Sequence, residues 1–301
     1  MAQMSAGKIW WLAIRPKTLW ASIAPVAIGL AMAFADGAFR GSTALVTLLT
    51  ALLIQIGTNF SNDYSDFKKG ADTAERKGPL RVTQAGLIRP EVMMRATALV
   101  FALAVLGCAV LVSIGGWPMA VIGIAGIASG IAYTAGPVPL GYLGFGDLLV
   151  LVFFGPVAVG GTYYLQTGRI TAPVLFSGLA PGLLSVAILV VNNLRDMEGD
   201  RVAGKKTLAV RFGATFARLE YLFCIVVSVA IPTLLVAVVA WFHASILTSV
   251  VLAACSIPVV RTVFRHTEGE FLNPALGATA RLLLIYSVLF SLTWCLGTEW
   301  P

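Results

Sequence analysis

Long apolar runs, broken at intervals by short polar stretches, dominate this chain. A helix that crosses a bilayer needs about 20 mostly apolar residues. Nine segments meet that need: residues 18–35, 43–57 continuing to 62, 92–114, 117–133, 146–165, 173–194, 217–241, 244–264 and 277–297. The pattern predicts an all-α polytopic membrane protein, a single domain over residues 1–301 built as a bundle of nine transmembrane helices. Most links are short, but 63–91 and 195–216 are not. The run 18–35 has a basic flank and no small-residue cleavage signature after it, so it reads as a first span rather than a removed leader.

Composition agrees. Of 301 residues, 58% are hydrophobic and 12% charged, against about 25% charged in soluble domains. The 30 glycines suit close helix packing in a membrane. Cys108, Cys224, Cys255 and Cys295 stand singly in apolar stretches, and His243 and His266 are the two histidines. That argues against zinc, haem and Cys–His nucleophilic chemistry.

The net charge of +7 does not point to nucleic acid here, because the basic residues lie in the links between spans. With the N-terminus cytoplasmic, only Arg40 and Arg169 of the 21 Lys and Arg fall outside. Of the acids, only Asp36 and Glu299 do. Nine spans then leave the C-terminus outside, in a cell membrane.

Two acidic clusters interrupt the apolar pattern. One is Asn62-Asp63-Tyr64-Ser65-Asp66, with Asp72 beyond it; the other runs from Asn192 to Asp200. Asn62 and Asp66, and Asp196 and Asp200, are spaced i, i+4, which puts each pair on one helix face, with Asn193 on the face of Asp196. Either cluster alone also reads as a capped helix end with surface ion pairs. Two such clusters at span ends, on one side, favour a cation site. Oxygen-only ligands suit Mg²⁺, which completes its shell with water and substrate phosphate. Lys68, Lys69, Arg76, Lys77, Arg81, Arg201, Lys205 and Lys206 are the candidate phosphate partners. Four spans separate the helices leading into the clusters, so a weak internal parallel repeat would put both at one cytoplasmic mouth. An ion or solute transporter is the competing class, but transporters place such acids near the midplane.

With these residues in view, the chain resembles the UbiA-type membrane prenyltransferase superfamily, whose two Asp-rich motifs match Asn62-xxx-Asp66 and Asp196-xxx-Asp200. The finer pattern resembles the 1,4-dihydroxy-2-naphthoate polyprenyltransferase branch of menaquinone biosynthesis. It rests on Arg15-Pro16-Lys17-Thr18-Leu19, Gly78-Pro79-Leu80-Arg81-Val82, Tyr133-Thr134-Ala135-Gly136-Pro137, Asn192-Asn193-Leu194-Arg195-Asp196, Lys205-Lys206-Thr207-Leu208-Ala209 and Leu272-Asn273-Pro274. Two departures stand out. Gly70 occupies the place of a third acid common in the superfamily, with Asp72 nearby, and Pro137 stands where a Tyr-xxx-Lys pattern has its lysine.

The resemblance implies an isoprenoid diphosphate and dihydroxynaphthoate as substrates, with membrane lipid around the enzyme. It implies two Mg²⁺ ions on Asn62, Asp66, Asp196 and Asp200, with Asp72 and Asn193 as further ligands. Attack by the ring carbon that bears the carboxylate, with loss of carbon dioxide, would need no strong base. Other aromatic acceptors, such as 4-hydroxybenzoate, homogentisate or haem- and chlorophyll-type rings, remain alternatives. A central cavity, open to the cytoplasmic side and laterally to lipid, would shield the allylic cation from water. Tyr133, Phe153, Phe154, Tyr163 and Tyr164 are its candidate wall residues. Arg15 or Lys17 could pair with the naphthoate carboxylate, and Asp147 could orient the acceptor or cap a span.

Overall fold

The computed structural model describes residues 4–70, 78, 80–239 and 245–296. Among these the chain is all helical: α1 (Ala6–Ile14), α2 (Pro16–Ala35), α3 (Gly41–Lys68), α4 (Pro90–Gly115), α5 (Trp117–Ala132), α6 (Gly146–Phe153), α7 (Pro156–Thr167), α8 (Ala172–Val202), α9 (Leu208–Val239), α10 (Ser245–Arg265) and α11 (Gly269–Leu296).

Eight candidate spans are long and apolar enough to cross a bilayer, with α6 and α7 together counting as one. The expected fourth span is α5, which has only 16 residues. At 1.5 Å per residue it is about 24 Å long, short of a hydrocarbon core of about 30 Å. The helix ends at Ala132, within a residue of the expected end, and the chain folds into tight turns, with Leu140 N–H donating to Ala132 O and Gly141 N–H to Tyr133 O. Those turns carry Tyr133, Thr134 and Tyr142 to the cavity.

α8 is the centre of the bundle: 72% of its apolar window is buried, against 17% for α4. Its buried residues include Ser177, Gly178, Ala180, Gly182, Ser185 and Ala187, small side chains that let helix backbones approach. α4 instead exposes Leu99, Leu103, Leu106 and Val110 along one stripe, as a lipid-facing helix does. The break between α6 and α7 lies at Gly155, just before Pro156, which lacks the N–H a continuous helix would use. A side-chain carbon on Gly182 would stand 2.6 Å from Leu151 O, and one on Gly178 would stand 2.8 Å from Pro156 Cα. The broken span therefore packs backbone to backbone against α8.

The N-terminal helix α1 is an element the apolar pattern does not single out, because it is too short to span. Ser5 caps it, accepting from Lys8 N–H at 3.4 Å. Its Ala13 is buried in a cluster with Phe60, Val82 and Met93, and Trp10 packs on Phe60 at 5.6 Å. The α1–α2 junction is Arg15, the one described non-glycine residue with positive φ, at 56°. Such a backbone is uncommon outside glycine and is held from α3, where Asn59 Nδ2 donates to Ile14 O (2.8 Å) and to Thr18 Oγ1 (3.0 Å).

Replacing Gly182 with Val forces α8 away from the broken span. The expected outcome is a destabilisation of about 1–3 kcal/mol, read as a lower midpoint of thermal unfolding in detergent. A variant as stable as the parent would show that the contact is not tight.

Candidate functional site

Both acidic clusters lie in the last turns of long helices. α3 stays helical through Asn62 and Asp66 to Lys68, and α8 through Asn193, Asp196 and Asp200 to Val202. The links start later than the apolar pattern suggests, because polar side chains at a helix mouth need not end the backbone helix. Two glycines end them instead. Gly70 (φ 66°) follows α3 and donates to Phe67 O, while Gly204 (φ 73°) follows α8 and donates to Arg201 O. This left-handed stop favours glycine, which accounts for a glycine standing after each of the two helices.

The two helix ends meet at one cavity of about 420 Å³. Its polar end is lined by Asn62, Asp66, Asn192, Asn193, Asp196 and Asp200, with Arg15, Arg81 and Lys205 among them. Its far end is lined by Leu111, Met119, Ile122, Leu165 and Gly161, and Phe153 and Phe154 lie on the wall. The cavity thus has a charged mouth and a mainly apolar interior, with the uncharged Thr47, Thr50, Gln55 and Thr58 also on its wall, the usual build of a site for an amphipathic ligand.

Lys205 joins the two clusters. The turn at Gly204 brings its N–H onto Asp200 O at 2.8 Å. Its ammonium then lies 3.4 Å from Asp200 Oδ1 and 3.8 Å from Asp66 Oδ1. Asp66 also accepts from Arg81 (3.0 Å) and from the Tyr142 hydroxyl (2.9 Å). Thr134 Oγ1 donates to Asn62 Oδ1 at 2.7 Å, and Lys69 Nζ donates to the Thr134 and Gly136 carbonyls at 2.7 and 2.9 Å. Lys69 and Lys205 stand over the Tyr142 ring, 5.0 and 4.9 Å from its centre. Partial desolvation beside the Tyr142 ring lowers the Lys69 pKa from the ordinary lysine value, with Asp66 opposing the shift.

Asp196 is held differently. Arg195, whose side chain is fully buried, grips both its oxygens at 2.8 and 2.6 Å. The same guanidinium donates to Asn192 Oδ1 (2.7 Å) and to Asn273 Oδ1 of α11 (2.9 Å). Among the described residues no three His, Cys, Asp or Glu side chains gather as a ready metal cage. The donors are nevertheless all oxygens, carboxylates and amides drawn from two helices onto one wall, and an ammonium already bridges Asp66 and Asp200. That donor set fits a hard divalent cation such as Mg²⁺, which keeps water and substrate oxygens in its shell.

Several expected residues lie elsewhere. Asp72, Arg76 and Lys77 are outside the described residues. Lys68, Lys69, Arg201 and Lys206 are exposed and do not line the cavity, and Arg201 pairs with Glu198 at 3.2 Å. Lys17 faces a separate groove. Asp147 is buried but off the cavity, since its neighbour Gly146 takes the position against Tyr133 and Leu189 and the next helical residue points away. Tyr163 is buried at the other end of the bundle, where its hydroxyl donates to Asp36, itself paired with Arg169 at 3.0 Å. Tyr164 likewise donates to Gly115 O. The interlocking roles of Tyr142, Arg195 and Asn59 have no periodic signal; the Asn192–Asp196 and Leu272–Pro274 motifs hint at them by carrying two of the partners.

The UbiA prenyltransferase family model matches residues 22–288. The chain is 38% identical to the 1,4-dihydroxy-2-naphthoate octaprenyltransferase of Haemophilus influenzae and 36% identical to that of Escherichia coli, each over 96% of both chains. It is 31% identical to mouse UbiA prenyltransferase domain-containing protein 1, over 93% of this chain and 81% of the relative. Among solved structures it is similar to a UbiA homolog from Archaeoglobus fulgidus bound to DMAPP and Mg²⁺, with TM-score 0.63 and 17% identity over 94% of this chain and 99% of the other. An apo UbiA homolog from Aeropyrum pernix K1 gives TM-score 0.68 and 12% identity over 89% and 96%.

Arg195→Ala removes a buried cation that holds Asp196, Asn192 and Asn273 together. The expected loss is about 3–5 kcal/mol, the scale for breaking a buried pair, with part of it recovered by Asp196→Asn in the same background. Unfolding of the single and double variants in detergent checks this; equal stability of Arg195→Ala and the parent would sink it.

Proposed function

The chain belongs to the UbiA prenyltransferase family, and from that premise we propose that it transfers a polyprenyl group from an isoprenoid diphosphate to 1,4-dihydroxy-2-naphthoate, releasing diphosphate and carbon dioxide and leaving demethylmenaquinol. Relatives with that acceptor in their names, matched over nearly their whole length, support the choice of acceptor. The observation that carries the chemistry is the meeting of Asn62 and Asp66 with Asn193 and Asp200 at the charged mouth of a mainly apolar cavity.

Asn62 with Asp66 would hold one Mg²⁺, and Asn193 and Asp196 with Asp200 a second; Asp72 is the remaining candidate ligand. Bound Mg²⁺ supplies charge neutralisation for a departing diphosphate. Lys205 and Arg81, at the same wall, bind and orient the diphosphate oxygens by charge-assisted hydrogen bonds. Phe153, Phe154 and the apolar far end receive the prenyl chain and keep water from the allylic carbon as its bond to oxygen breaks. The Tyr133 ring, set between Gly141 and Gly146, faces developing positive charge.

Arg15 is the cavity residue suited to the acceptor carboxylate. The carboxyl-bearing ring carbon forms the new bond to the allylic carbon. The bond to the carboxylate then breaks, and its electron pair returns to the ring. No proton has to leave that carbon, so no buried general base is required at this step. The basic links on the same side support a charged mouth toward the cytoplasm, with the Asp36–Arg169 end outside.

The test is to incubate purified protein with dihydroxynaphthoate and farnesyl or longer diphosphates, with Mg²⁺ or with a chelator. Prenylated product and carbon dioxide in equal amounts, both abolished by the chelator, are expected. Asp66→Asn and Asp200→Asn each lower kcat by about 100-fold or more, the scale of losing one transition-state charge stabiliser. Full turnover by either variant would remove the two half-sites. For orientation, Arg169→Cys in intact cells is expected to react with a membrane-impermeant thiol probe and Lys206→Cys only after permeabilisation; the reverse pattern would invert the mouth.

A further inference from the structure

A second groove, of about 320 Å³, lies between α2 and α11 and shares no lining residue with the central cavity. Its wall includes Lys17, Trp20, Asn273, Gly277, Arg281 and Leu284. Arg281 lies twelve residues into α11, about 18 Å along the helix, where an arginine is costly if it faces hydrocarbon. The helix register removes that difficulty. Ser287 Oγ donates to Ala24 O and Cys295 Sγ to Ala31 O, so α2 and α11 run parallel. Arg281 therefore sits level with Lys17, in the first turn of α2.

The two cations are thus neighbours at one membrane surface. Both are exposed, and neither makes a side-chain hydrogen bond or an ion pair among the described residues. Among the described residues no acidic side chain lines the groove. Gly277 leaves the space between them open: a side-chain carbon there would stand 3.9 Å from Lys17 Nζ. Three residues further along each helix, on the same faces, come Trp20 and Leu284. Trp20 is 37% exposed. The groove therefore runs from two cations at the surface to an indole and an aliphatic side chain deeper in.

That order of chemistry matches one ligand. A phosphodiester between two cations, with acyl chains continuing along tryptophan and leucine, is an anionic glycerophospholipid at a bilayer interface. We propose that the α2–α11 groove binds the headgroup of an anionic phospholipid. A soluble phosphate would use the cations but not the apolar continuation. Asn273, at the groove's polar wall, also accepts from Arg195, the residue that grips Asp196, so the headgroup would rest beside the support of the second acidic cluster.

The test needs no turnover, so it stands or falls apart from the prenyl-transfer reading. Delipidated full-length protein in detergent is titrated with short-chain phosphatidylglycerol, phosphatidylcholine or inorganic phosphate, while thermal unfolding is followed and native mass spectrometry counts bound lipid. Saturable stabilisation and retained mass are expected with phosphatidylglycerol alone. Lys17→Gln with Arg281→Gln should weaken that binding about thirtyfold, the combined worth of two interfacial cations. Gly277→Leu, which keeps both charges and fills the groove, should weaken it as well. Equal binding of phosphatidylcholine, equal stabilisation by inorganic phosphate, or phosphatidylglycerol binding undiminished in Gly277→Leu would each overturn the proposal.

Discussion

Like charge at one mouth is the constraint around which this bundle is arranged. α3 and α8 each end in carboxylates, and both ends open on the same cavity. A helix C-terminus already carries partial negative charge from its unpaired carbonyls. Two such ends, with Asp66, Asp196 and Asp200 on them, repel one another unless cations stand between. The fold supplies those cations from separate stretches of chain: Arg81 after α3, Arg195 from within α8, and Lys205 from the turn after it. Each is placed by a local device, and the Gly204 turn is the clearest, since it folds Lys205 back over Asp200.

The cations do not all hold their carboxylates in the same way, and that difference divides the labour. Arg195 is buried, grips Asp196 through both oxygens and ties α8 to α11 through Asn273. Its role is to fix geometry. Lys205 is longer, more flexible and a point charge, and it reaches two carboxylates at 3.4 and 3.8 Å, looser than a bidentate pair. A cation held that loosely can change partners when an anionic group enters the mouth. The most adaptable contact at the mouth is therefore the one that bridges the two clusters.

Much of this was legible in the chain before its shape was known, and the failures have physical causes. The i, i+4 spacing placed Asn62 with Asp66 and Asp196 with Asp200 on shared faces, and both pairs do line one cavity. Spacing says nothing of what stands opposite, so Lys205 looked no different from Lys206, although only the first turns inward. Hydropathy found the long spans and bounded α5 to within a residue, but the tight turns after it, which carry Tyr133, Thr134 and Tyr142 to the cavity, leave no apolar signal. Aromatic content suggested Tyr163 for the cavity wall, yet its hydroxyl had a better partner in Asp36 at the other end. Lys17 and Arg15 sit two residues apart and read as equivalent orientation charges. The left-handed backbone at Arg15 separates them, sending one to the cavity and the other to the α2–α11 groove.

The shape of the cavity bears on why so few titratable groups accompany such reactive chemistry. An allylic cation is quenched by water or by any nearby nucleophile, so its surroundings must be apolar and its counter-charge kept at the leaving-group end. Among the described lining residues the carboxylates and basic groups gather at the mouth, and the lining beyond is mainly apolar, with the uncharged Thr47, Thr50, Gln55 and Thr58 among it. A basic side chain deeper in would offer a lone pair to the cation. A route in which the acceptor loses its own carboxylate instead of a proton avoids that hazard. The cavity's described lining fits that route, since its Lys and Arg side chains all stand at the mouth.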